Sequence, residues 1–136
     1  MEETNYGLRV SMAVPYEEAV RLATDALKSQ GFGVLTTIDV KQTLKSKLDR
    51  DFRKYVILGA CNPPLAFNAI STDPSIGLLL PCNVTVEWLA NGRTGVRLTD
   101  PEALLGSVMQ RAPELASVAH DARARMVRVA ESLAKA

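Results

Sequence analysis

Apolar residues alternate near the start of the chain, where Leu8, Val10 and Met12 share one side of a stretch from Tyr6 to Ala13. That two-residue period predicts a strand with one buried face. The period then lengthens: Val20, Ala23, Ala26 and Leu27 make a helical stripe, with Pro15, Glu17 and Glu18 suited to its first turn and Gly31 to its stop. Phe32 to Ile38 has the β-branched content of a second strand, and Asp39 can cap a short helix carrying Val40, Leu44 and Leu48. A third strand runs from Phe52 to Gly59. It leads into Ala60-Cys61-Asn62-Pro63-Pro64, after which Leu65, Ala66, Ala69 and Ile70 take helical spacing until Asp73-Pro74.

The unbroken apolar segment Ile76 to Leu80 reads as a buried strand interrupted by Pro81. Val84, Val86 and Trp88 then alternate with Thr85 and Glu87, and Asn91-Gly92 signals a hairpin pairing Asn83 to Ala90 with Arg93 to Thr99. Asp100-Pro101-Glu102 starts a helix expected to continue through Leu104, Leu105 and Met109, and Pro113 starts another. In the last helix Leu115, Ala119, Ala122, Met126, Val129 and Leu133 form a long seam for the sheet or for a partner helix, so a homodimer is one expectation.

Strand, helix, several strands, then helices is the order of an α+β domain with a mainly antiparallel sheet and helices on one face. No Gly/Ser linker, repeat or low-complexity tract divides residues 1–136, so a single domain is expected. With 47% apolar residues the chain can bury a continuous core without disulfides.

A net charge of +1 with mixed signs gives no field for nucleic acid or an anionic membrane. Arg111, Arg123, Arg125 and Arg128 read as a solvated helical face, and Trp88 as sheet packing. The segment Met1-Glu2-Glu3-Thr4-Asn5 lacks the features of a secretory signal, and no apolar run has the length of a membrane span. The expected compartment is cytoplasmic, where both cysteines stay reduced.

Candidate chemistry concentrates at Cys61-Asn62 and Cys82-Asn83. Cys61 lies where a strand ends and a helix begins, with Asn62 as its cap and Pro63 as its first residue. Amides at such a helix start can stabilise a thiolate, phosphate or carboxylate. The ligand-binding set is therefore Cys61, Asn62, Pro63, Cys82 and Asn83, for an anion or another small ligand. The alternative is thiol chemistry at the same residues: redox exchange, sulfur transfer or handling of a soft metal. Buried cysteines that only fill space, and asparagines that only cap, are the competing structural explanation. No cofactor motif is present, and two separated cysteines with a distant His120 do not supply the ligands of a structural zinc site.

The stretches Tyr55-Val56-Ile57-Leu58-Gly59-Ala60-Cys61-Asn62-Pro63-Pro64-Leu65-Ala66 and Ile76-Gly77-Leu78-Leu79-Leu80-Pro81-Cys82-Asn83-Val84 resemble the bacterial and archaeal domain of unknown function 302 family. The resemblance extends through Gly31 to Val40 and Asp100 to Leu104. It implies a curved, mainly antiparallel sheet backed by helices, in a TATA-binding-protein-like architecture, with no settled activity. The family pattern often places a histidine after the first Leu-Ala, where this chain has Phe67; that departure weakens any Cys-plus-His site. A DNA-binding role does not follow from the fold.

Overall fold

In the computed structural model, which describes residues 1–136, the alternating segments become one open sheet with every neighbouring pair antiparallel. Its strands are β1 (Glu2–Glu3), β2 (Gly7–Met12), β3 (Gly33–Asp39), β4 (Tyr55–Cys61), β5 (Cys82–Trp88) and β6 (Thr94–Thr99), in the order β1-β2-β6-β5-β4-β3. Register carries the sequence pattern across the sheet: Val10 faces Val96, Val96 faces Val86, and Val86 faces Val56. These side chains share one face and are buried.

Two helices cover that face. In α1 (Tyr16–Ser29), Ala19, Ala23, Ala26 and Leu27 are buried; in α6 (Ala116–Ala134), Met126, Val129, Ala130 and Leu133 are buried. Alanines at the contact let the helices approach closely, and each large side chain so buried stabilises the fold by about 1.5–3 kcal/mol. The seam of α6 is filled by this chain: every position from Ala119 to Leu133 named above, and Leu115 before it, is buried internally. Its C-terminal half packs in the main core with the sheet, and Leu115 and Ala119 pack in a second, smaller core.

Shorter elements close the ends. α2 (Val40–Leu48) begins at Asp39, whose side chain accepts from the Gln42 N–H. α3 (Pro63–Thr72) follows β4 directly, and α4 (Pro101–Leu104) follows β6. The helix expected to run on to Met109 breaks at Leu105, and α5 (Gly106–Arg111) resumes after it.

Ile76 to Leu80 is not a strand. Pro74–Leu79 forms a 3₁₀ turn, started by the Asp73 side chain accepting from the Ser75 N–H. Its roughly three-residue period turns Ile76 inward at 1% exposure and leaves Leu78 at 89%, which a continuous apolar run could not reveal. Ile76 joins Ala69, Leu105, Leu115 and Ala119 in a second, smaller core beside the main one. No helix is long and apolar enough to cross a membrane.

Candidate functional site

Between the two cores, at the end of the sheet where β4 finishes and β5 starts, lies a cavity of about 360 Å³. Ala60, Cys61 and Asn62 enter it from the end of β4, Pro81 and Cys82 from the start of β5, and Phe32 and Thr36 from β3 and its approach. Leu65, Ala66, Ala69 and Ile70 of α3 form one wall; Pro101 and Leu105 with Val118 and Ala122 of α6 form another. No charged side chain lines it.

Gly59 is required for this closure. A Cβ there would lie 2.1 Å from Thr36 Oγ1 and 3.0 Å from Pro81 Cγ, so only glycine lets these two residues pass over β4 toward the cavity.

Asn62 caps α3 as the sequence predicts: its Oδ1 accepts from the Leu65 N–H at 3.2 Å. The same geometry removes the expected anion site. Pro63 and Pro64 have no amide hydrogen, the Leu65 N–H is held by Asn62 Oδ1, and the Ala66 N–H donates to the Asn62 carbonyl at 2.9 Å. The first four positions of α3 thus present no free donor, and the cavity has no cation to replace them.

What remains polar is the other end of the Asn62 amide. Asn62 is only 7% exposed, and its Oδ1 bond to Leu65 directs Nδ2 away from the helix. Nδ2 has no acceptor within the protein and sits beside Gly31, whose φ of 84° is in the left-handed region; Arg125 Nη1, which donates to the Gln30 carbonyl, borders Gly31 too but lies outside the cavity lining. A Cβ on Gly31 would meet Nδ2 at 2.9 Å. The glycine that stops α1 therefore also makes room for this amide.

The cysteines do meet at one end of the sheet. Cys82 is the register partner of Ala60, so Cys61 stands diagonally across from it, and both line the cavity as free thiols. Cys61 is partly exposed and Cys82 is buried. Burial, and then the neighbouring Cys61, push the Cys82 thiol up to about 11. Burial without a cationic neighbour opposes the thiolate form of Cys82 instead of promoting it.

The remaining residues of the expected set lie elsewhere. Pro63 is exposed and outside the cavity lining. Asn83 follows an inward-facing Cys82, so strand alternation carries it to the opposite face of the sheet, where it lines a separate groove. Phe67 is 71% exposed and outside the lining. His120 pairs with Glu102 at the surface, away from both thiols. No group of three or more His, Cys, Asp and Glu side chains is arranged to hold a metal ion. Sequence periodicity identified Leu65, Ala66, Leu105 and Ala122 as apolar but not as walls of a shared space, since their convergence depends on how α3 and α6 pack.

Residues 8–133 match the family described as "Domain of unknown function DUF302". Among solved structures, the chain is similar to the uncharacterized conserved DUF302 protein from Bacillus stearothermophilus, with 29% identity and a TM-score of 0.82 over 94% of this chain and 98% of that one. No curated protein matches.

Proposed function

The chain belongs to the DUF302 family, and on that footing we propose that it is a small-molecule-binding domain whose ligand is uncharged, largely apolar, and bears an acceptor for Asn62. One observation carries this reading: an uncharged cavity of about 360 Å³ is lined by Asn62, a residue only 7% exposed whose Nδ2 takes no acceptor in the protein. Binding sites for small molecules commonly combine such apolar walls with one or a few placed polar groups. A ligand carbonyl or hydroxyl that reaches Asn62 Nδ2 gains a hydrogen bond worth about 0.5–1.5 kcal/mol net, which an alkane cannot make. The Cys61 thiol beside it adds a soft, weakly polar contact.

The test is a thermal-shift screen of neutral apolar compounds against the wild type, Asn62→Ser and Ala66→Phe. Ser can still cap α3 but has no amide donor, and Phe fills the cavity. Stabilising compounds should lose most of their effect in both variants; unchanged shifts in both would reject the site.

Thiol chemistry is the second reading, favoured by one fact: the two free thiols line the same cavity. It requires at least one thiol to react faster than an ordinary cysteine at neutral pH. Free thiols also fit a reducing compartment, and we place the protein in the cytoplasm on that basis. Self-association, where it occurs, would use the outer edge of β3, where Leu35 and Ile38 are exposed, since the α6 seam is filled.

A further inference from the structure

On the face of the sheet opposite α1 and α6, strand alternation gathers a polar set unrelated to the apolar cavity. Arg9 lies between buried Leu8 and Val10, Arg97 between buried Val96 and Leu98, and Thr85 between buried Val84 and Val86. Register puts the three in one row, with Arg9 opposite Arg97 and Arg97 opposite Thr85. They line a groove of about 290 Å³ with Asn83, Tyr55 and Thr99.

Two like charges directly opposite on neighbouring strands repel unless counter-charge is supplied. Within the protein that supply is partial. Arg97 donates to Glu87 at 2.6 Å, but Glu87 is shared with Arg53 at 2.5 Å. Arg9 has only Glu2, at 3.9 Å and at the edge of salt-bridge range. Beside the arginine pair, Thr85 Oγ1 is fully buried and has no hydrogen-bond partner in the protein. A hydroxyl donor and two guanidiniums, with the Asn83 amide on the same rim, are the groups that recognise an oxyanion through several charge-assisted bonds.

We propose that this groove is a second binding site, for a small oxyanion of the phosphate or carboxylate class, held by Arg9 and Arg97 with Thr85 and Asn83. It stands apart from the apolar site, and it gives Asn83 the anion-contacting role that the start of α3 cannot provide.

The experiment is amide NMR titration of the full chain with inorganic phosphate and, separately, with succinate, each matched by sodium chloride at equal ionic strength. Saturable shifts at Asn83, Thr85, Arg97 and Thr99, absent from the chloride series, are expected, and the tighter-binding arm identifies the phosphate or carboxylate source. Arg9→Gln should weaken binding about tenfold, and Thr85→Val should weaken it severalfold while adding no charge change. Both variants keep strand-compatible side chains, and their amide spectra report folding directly. Should Arg9→Gln disturb the sheet, Thr85→Val carries the test. Shifts no larger than in chloride, shifts centred on the arginines of α6, or unchanged affinity in a folded Thr85→Val would overturn the site.

Discussion

Asn62 Oδ1 accepts the Leu65 N–H at 3.2 Å, and this one bond sets both the start of α3 and the direction of the free Asn62 Nδ2. Capping and ligand contact are therefore separable by substitution. Asn62→Ala removes both, and should lower stability in urea by about 1 kcal/mol, the usual value of a lost cap. Asn62→Ser should recover most of that loss without restoring ligand-induced stabilisation. If Ser restored both, Nδ2 would have no part in binding.

Gly31→Ala tests the other side of the same amide. The substitution forces a side chain into φ 84° and brings its Cβ to 2.9 Å from Nδ2. A destabilisation of about 1–2 kcal/mol is expected from the backbone alone, together with weakened ligand binding because Asn62 must move. Calorimetry combined with a binding titration separates the two effects.

Cys82 should behave as a buried neutral thiol. With its pKa pushed up to about 11, only about one molecule in a thousand carries the thiolate at pH 8, so iodoacetamide should label Cys61 first. The folded state holds this proton more tightly than the unfolded chain. Its contribution is thus complete below the ordinary thiol value of 9.0 and is lost as pH rises from there through about 11. The loss should reach about 2–3 kcal/mol, and the Cys82→Ala variant should lack it. Faster labelling of Cys82 than of a free peptide thiol would favour the thiol reading.

Glu87 supplies the acid-side counterpart. Burial pushes its carboxyl up, but hydrogen bonds from Arg97 and Arg53 outweigh that and hold it below the ordinary carboxylate value. Its stabilisation is present above the ordinary value and disappears as pH falls through the lower folded one. Glu87→Gln should cost about 1–2 kcal/mol at pH 7, with the half-exposed arginines limiting the loss through hydration. That difference from wild type should shrink in acid. Denaturation curves at a series of pH values check it; a constant difference would mean that shape, not charge, is at work.

Much of the fold was legible because its periods are clean. Leu8, Val10 and Met12 declare a one-sided strand, Asn91-Gly92 a hairpin, and Asp100-Pro101-Glu102 a capped helix start, and all three form. Ile76 to Leu80 misled because a short apolar run has no period, and Asp73-Pro74 began a turn there. At the site, Cys61 and Asn62 were identifiable from their place between strand and helix. The second proline was visible too, yet its effect became clear only once each amide at the start of α3 had been assigned. Asn83 was drawn to the wrong face by its neighbour Cys82, since a motif read along the chain does not respect the alternation of a strand.

A methyl and amide NMR titration with benzamide and with benzoate most directly tests whether the cavity takes a neutral, largely apolar ligand. The two probes share a ring but differ in charge. Benzamide should give saturable shifts at Asn62, Leu65, Ala66, Leu105 and Ala122, all of which border the cavity, and benzoate should give none there. No saturable shift with benzamide, or equal binding of benzoate at these residues, would contradict an uncharged site organised by Asn62.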